Sequence, residues 1–124
     1  MNDKIIKTTN NKVYDLEERT TIFAENIILL CKKASKATIA TSILDQLVRS
    51  GTSIGANYQE ANGASSKKDF RNKIYICKKE AKETMYWLRL LAKALDELKE
   101  DCKVLWREAR ELTLIFSKIA ASSN

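Results

Sequence analysis

Apolar residues along this 124-residue chain return at intervals of three and four in several separate stretches, the period of helices that bury one face. Leu16, Phe23, Ile27, Leu30 and Ala34 form the first stripe. It opens at Asp15 with Glu18 three residues on, a pair suited to capping the amides of a first helical turn. The polar stretch Lys36 to Ser42 reads as a turn, because Ser and Thr hydroxyls offer hydrogen bonds that compete with helix. A second helix then runs to about Asn62, where Gly63 is expected to take a left-handed cap. Ser66 with Asp69 opens a third, from Lys67 to about Leu95. In the fourth, from Lys99 to Ala121, Leu98, Cys102, Leu105, Ala109, Leu112, Phe116 and Ile119 alternate by fours and threes, the seam of an antiparallel bundle or a coiled coil. No strand alternation, repeat or low-complexity tract competes. The expected fold is all-α, an antiparallel up-down four-helix bundle over residues 15–121, with a polar N-terminal arm (1–14) and a short tail (122–124).

The second helix holds an anomaly. The chain has three glycines and no proline, yet Gly51 and Gly55 sit one turn apart inside an otherwise continuous helical pattern. Each costs about 1 kcal/mol relative to Ala in a helix interior. A compensating gain is expected, and close approach of another helix against Gly51, Gly55 and Val48 is the simplest; a local kink is the alternative. Gln46, Arg49, Ser50, Ser53, Asn57 and Glu60 share a polar arc, while Ile43, Leu47, Ile54, Tyr58 and Ala61 share the apolar one.

The third helix carries two further patterns. Between Lys67 and Lys93 there are nine basic and three acidic residues, an excess equal to the +6 of the whole chain. At about 100° per residue, Lys67, Arg71, Lys78, Lys82, Arg89 and Lys93 fall on one narrow stripe, with Tyr75 and Tyr86 at its margin. Such a stripe suits phosphates with bases stacked alongside; the plain alternative is a solvated face. Phe70, Ile74, Cys77, Ala81, Leu88, Leu91 and Leu95 make the core face. Ile76, Trp87, Leu90 and Ala94 gather on a second apolar arc, which a lone bundle does not need and an oligomer interface does. Trp87 is the expected anchor.

Composition narrows the chemistry. A pI near 9.3 favours acidic partners such as nucleic acid. Cys31, Cys77 and Cys102 lie at apolar helical positions without the close spacing of a metal or redox pair, so they read as reduced core residues of a cytosolic chain. No secretory signal or apolar run long enough for a membrane span is evident. The chain has no histidine, which removes the usual general base and the Glu-x-x-His ligands of di-iron bundles. No catalytic residue, metal ligand or cofactor site is assigned, and the expected class is non-enzymatic.

"QLVRSGTSIGANYQEA" followed by "SKKDFRNKIYICKKEAKETMYWLRLL" resembles the four-helix-bundle proteins encoded in intervening sequences of bacterial 23S ribosomal RNA genes. Arg49, Ser53-Ile54, Asn57 and Glu60, then Ser66-Lys67-Lys68-Asp69-Phe70 and Glu80-Ala81, carry the likeness from about Gln46 to Leu91. The missing proline before helix two and Ala61 after Glu60 depart from the pattern. The resemblance implies assembly as a homopentameric ring. It also implies kinship in fold with the accessory variability determinant proteins of diversity-generating retroelements, basic bundles that associate with a reverse transcriptase and nucleic acid.

For Arg49, Ser53, Asn57 and Glu60 the structural reading is a packed polar seam in which Arg49 and Glu60, about 16 Å apart along the axis, each find a partner on another helix or protomer. The functional reading turns the Arg49 guanidinium toward phosphate. At the level of the whole chain, two classes remain: an electrostatic binder of RNA or DNA, and a scaffold for an acidic or polymerase-like protein partner.

Overall fold

The computed structural model describes residues 15–123; the expected arm at 1–14 lies outside the described residues. Four helices follow in order, α1 (Leu16–Ala34), α2 (Thr41–Asn62), α3 (Lys67–Ala94) and α4 (Lys99–Ser122). Each packs broadly on its neighbour in sequence, and α4 closes the ring against α1 along a thinner seam. Short connections leave no room for a crossover, so successive helices run up and down.

The helix ends show which local signals carried through. Asp15 accepts from the Glu18 amide at 3.4 Å, and Ser66 accepts from the Asp69 amide at 3.0 Å. The α1–α2 connection is shorter than expected: a 3₁₀ turn at Thr38–Ala40 leads straight into α2 at Thr41, without a side-chain cap. Gly63 does not reverse hand. Its φ of −99° is right-handed, and its amide bonds back to the Glu60 and Ala61 carbonyls, so the chain leaves through Ser66, whose extended backbone (φ −152°) turns it toward α3. The break between α3 and α4, weakly marked in sequence, is an extended Leu95 followed by a 3₁₀ turn at Asp96–Leu98. At the C-terminus α4 runs through Ser122, one residue into the expected tail.

Phe23, Ile27, Leu30, Leu47, Ile54, Ile74, Leu88, Leu91, Leu112 and Phe116 are wholly buried. They come from all four helices, so no pair of helices has a complete core alone. Tyr58 of α2 reaches Phe116 of α4 across the interior, ring centroids 5.9 Å apart.

Gly51 and Gly55 mark where α1 and α2 come closest, and α2 runs through both without interruption. A Cβ at Gly51 would lie 2.9 Å from Ile27 Cγ1, and one at Gly55 would lie 3.2 Å from Thr20 Oγ1. Neither neighbour can easily move aside. Ile27 is fully buried, and the Thr20 hydroxyl donates to the Leu16 carbonyl at 2.7 Å. Val48, expected in the same groove, is instead exposed, and Ser50, expected on the polar arc, is fully buried, where it accepts from the Thr84 hydroxyl at 3.0 Å. The α2–α3 seam therefore has a polar element at its centre.

Gly51→Ala is expected to destabilise the protein by about 1–2 kcal/mol, an overpacking penalty of about 1–3 kcal/mol partly offset by better helix propensity. Denaturant unfolding of Gly51→Ala, Ile27→Ala and the double variant reads it: the penalty should vanish once Ile27 is truncated. Stabilisation by Gly51→Ala alone would contradict the close approach.

Candidate nucleic-acid interface

Five carboxylates of the bundle pair across two of its seams. On the α2–α3 side, Arg49 pairs with both Glu80, at 3.3 Å, and Glu83, while its Nε donates to Gln46 at 3.1 Å. One turn beyond the glycines, Glu60 of α2 takes Lys73 of α3 at 2.7 Å. Across the α1–α4 seam, Arg19 meets Glu108 through two parallel bonds of 2.7 and 2.8 Å, and Lys33 meets Asp101 at 2.9 Å. The Arg19–Glu108 pair is largely buried, and the hydrogen bond to Glu108 raises the already high pKa of the Arg19 guanidinium. Glu111 adds a weaker field at the same guanidinium.

The seam between α3 and α4 is basic. Lys67, Lys82, Arg89 and Lys93 are exposed and Lys78 is half-buried, and none of them forms an ion pair among the described residues. Arg71 belongs to the same stripe, but its Nη1 donates to the Ser123 carbonyl at 3.3 Å, placing a cation at the C-terminal end of α4, where the helix dipole favours one. Tyr75 and Tyr86 stand exposed beside the stripe.

From α4, Lys99, Lys103 and Arg107 join Arg89 around a groove of about 450 Å³ whose apolar lining includes Leu88, Ala92 and Trp106. The periodicity of α4 missed these residues because its charges nearly cancel in sequence. Only the register of the bundle turns Asp101 and Glu108 toward α1 while Lys99, Lys103 and Arg107 line the opposite groove. A second hollow, lined by Arg89, Leu90, Lys93, Asp96 and Lys99, extends the first toward the α3–α4 turn; Asp96 is the one carboxylate in the lining of either.

The remaining sequence candidates lie elsewhere. Arg49 is engaged by two carboxylates on the far side of α3 from the groove. Ser53 donates to the Arg49 carbonyl at 2.6 Å and Asn57 to the Ser53 carbonyl at 2.8 Å, so both bond within their own helix. Gly51 and Gly55 face α1. On the second apolar arc, Trp87 and Ala94 pack against the core of their own chain, and the Trp87 indole N–H donates to Glu83 at 2.9 Å. Ile76 and Leu90 remain half-exposed and outside that core. The Trp87 edge meets Tyr86 at 5.0 Å.

The family model described as 23S rRNA-intervening sequence protein matches residues 11–118. A crystal structure from Bacteroides thetaiotaomicron VPI-5482, described as a protein with unknown function from the S23 ribosomal protein family, superposes with a TM-score of 0.78. It is 35% identical, over 85% of this chain and 97% of that one. No curated protein matches the sequence.

The site offers charge and apolar surface rather than reactive groups. No cluster of His, Cys, Asp or Glu among the described residues is arranged to hold a metal ion, and none of the described helices is long and apolar enough to cross a membrane. Burial pushes the Cys31 thiol up to about 11 and those of Cys77 and Cys102 up to about 12, leaving almost no thiolate near neutral pH. Iodoacetamide at pH 8 is therefore expected to leave all three thiols unmodified in the native protein and to alkylate all three once it is unfolded. Mass spectrometry distinguishes the two states, and rapid native labelling of any one thiol would contradict its burial.

Proposed function

The chain belongs to the 23S rRNA-intervening sequence protein family, and from that premise we propose that it is a non-enzymatic bundle that binds nucleic acid electrostatically along its α3–α4 face. The observation that carries this reading is the sorting of charge: Glu80 and Glu83 of α3 pair with α2, and Asp101 and Glu108 of α4 pair with α1, while Lys82, Arg89, Lys93, Lys99, Lys103 and Arg107 face a shared side where Asp96 and Glu100 are the acids beside them. A solvated basic face with no ligand would gain from interspersed acids, because like charges at helical spacing repel. Phosphates supply the missing anions and release counterions as they bind.

Arg49, committed to Glu80 and Glu83, is left to hold α2 against α3. A protein scaffold is the second reading. Polyphosphate backbones match a row of cations spread over two helices better than isolated carboxylates do, so nucleic acid is preferred. Binding of a duplex should weaken steeply with salt, the log–log slope being about −0.9 per phosphate neutralised. Lys82→Glu with Arg89→Glu should reduce affinity about tenfold or more and flatten that slope by roughly two. An isotherm indifferent to both salt and the double variant would discard the reading.

Assembly into a homo-oligomer, a pentameric ring in its specific form, is part of the same proposal. Support comes from Ile76 and Leu90, which stay half-exposed beside Trp87, and from exposed Val48 on the neighbouring helix. Light scattering should give a mass near five chains, and Ile76→Glu with Leu90→Glu should reduce it to that of one. A monomer at all concentrations would rule the ring out.

A further inference from the structure

The groove between α3 and α4 has features that charge alone does not require. Its rim is four cations, Arg89, Lys99, Lys103 and Arg107, and its lining includes the indole of Trp106. The two tryptophans of the chain differ in a telling way. Trp87 has its N–H bound to Glu83, whereas the Trp106 N–H makes no hydrogen bond among the described residues. Because no buried side-chain nitrogen or oxygen among the described residues lacks a partner, the Trp106 N–H reaches solvent. The rim is nearly as open: Lys103 lies 3.9 Å from Glu100 of its own helix, and Arg89, Lys99 and Arg107 form no ion pair among the described residues.

We infer that this groove takes an unpaired nucleotide of a single-stranded RNA, the base against Trp106 and the flanking phosphates on the rim cations. The inference rests on the nucleic-acid reading above and deepens it. Charge complementarity selects an anionic occupant, and the apolar lining selects one with a flat apolar face. A duplex presents only its backbone, which would meet the rim and leave the lining wet. An amphipathic peptide helix needs anchors spread over two or more turns, and about 450 Å³ suits one nucleotide better. RNA is the source chosen because its loops present unstacked bases, which aromatic side chains capture.

Binding of a fluorescein-labelled oligouridylate of about a dozen nucleotides is compared with that of an equally long RNA duplex. Trp106→Leu should weaken the single strand about tenfold and leave the duplex unchanged, while Trp106→Phe should retain most of the affinity. In a Trp87→Phe background the oligouridylate should quench the emission of Trp106. Thermal unfolding checks that Trp106→Leu still folds, and Lys103→Ala with Arg107→Ala, both at exposed positions, should weaken single-strand binding without that risk. Equal losses for both probes, or saturation without quenching, overturns the inference and leaves electrostatic binding standing. An oligothymidylate that binds tighter than the oligouridylate overturns the choice of RNA, and an acidic amphipathic peptide that quenches Trp106 at lower concentration overturns nucleic acid as the occupant. If neither RNA probe binds, the proposed function itself has failed.

Discussion

The closeness of α1 to α2 is the constraint from which the rest of the bundle follows. A helix whose contact side chains are hydrogen atoms lets its neighbour's side chains reach its backbone, and here Ile27 and Thr20 fill the space that side chains at Gly51 and Gly55 would claim. That contact fixes the rotation of α2 about its own axis. With Gly51 and Gly55 turned to α1, Ser50 and Ile54 point inward, and Arg49 and Glu60 fall where α3 can reach them. A helix turned by one residue, about 100°, would lose both the packing and the pairs.

The same rotation explains why the polar groups inside the bundle are tolerated. Burying a hydroxyl or a charge without a partner is costly, yet Ser50, Thr84, Thr20, Arg19 and Glu80 are all buried. Each is answered. Thr84 donates to the Glu80 carbonyl and shares a hydroxyl–hydroxyl bond with Ser50, Glu80 receives Arg49, and Arg19 is held at both ends of its fork by Glu108. These pairs add directional constraint to an apolar core that could otherwise slide along its helices. They also engage Glu80 of α3 and Glu108 of α4 on sides away from the α3–α4 groove, so the interior pairing of the bundle and the exterior charge of that face are two results of one arrangement.

Much of the architecture was legible in order of residues alone. Leu16, Phe23, Ile27, Leu30 and Ala34 read as one buried face and are one; Asp15 and Ser66 read as caps and accept the bonds expected of them. These are local matters, decided within a turn or two of helix. The misreadings were tertiary. Ser50 belongs to a polar arc by periodicity, but Thr84 offers a partner that makes its burial favourable. Gly63 suits a left-handed cap, yet the chain exits by bonds to Glu60 and Ala61 without it.

By itself the sequence determined that there are four amphipathic helices, where two of them are capped, that the glycines of α2 call for either a close neighbour or a kink, and that one stripe of α3 carries the net charge. Hydrophobic period, cap chemistry and the absence of a glycine side chain act over short stretches of chain, so they can be read without knowing what lies opposite. Only the tertiary structure decided that the close neighbour is α1, that Arg49 is spent on Glu80 and Glu83, and that Trp106 shares a groove with Arg89. Those outcomes depend on the register between helices distant in sequence, because charge and contact act through space between side chains that no spacing rule brings together.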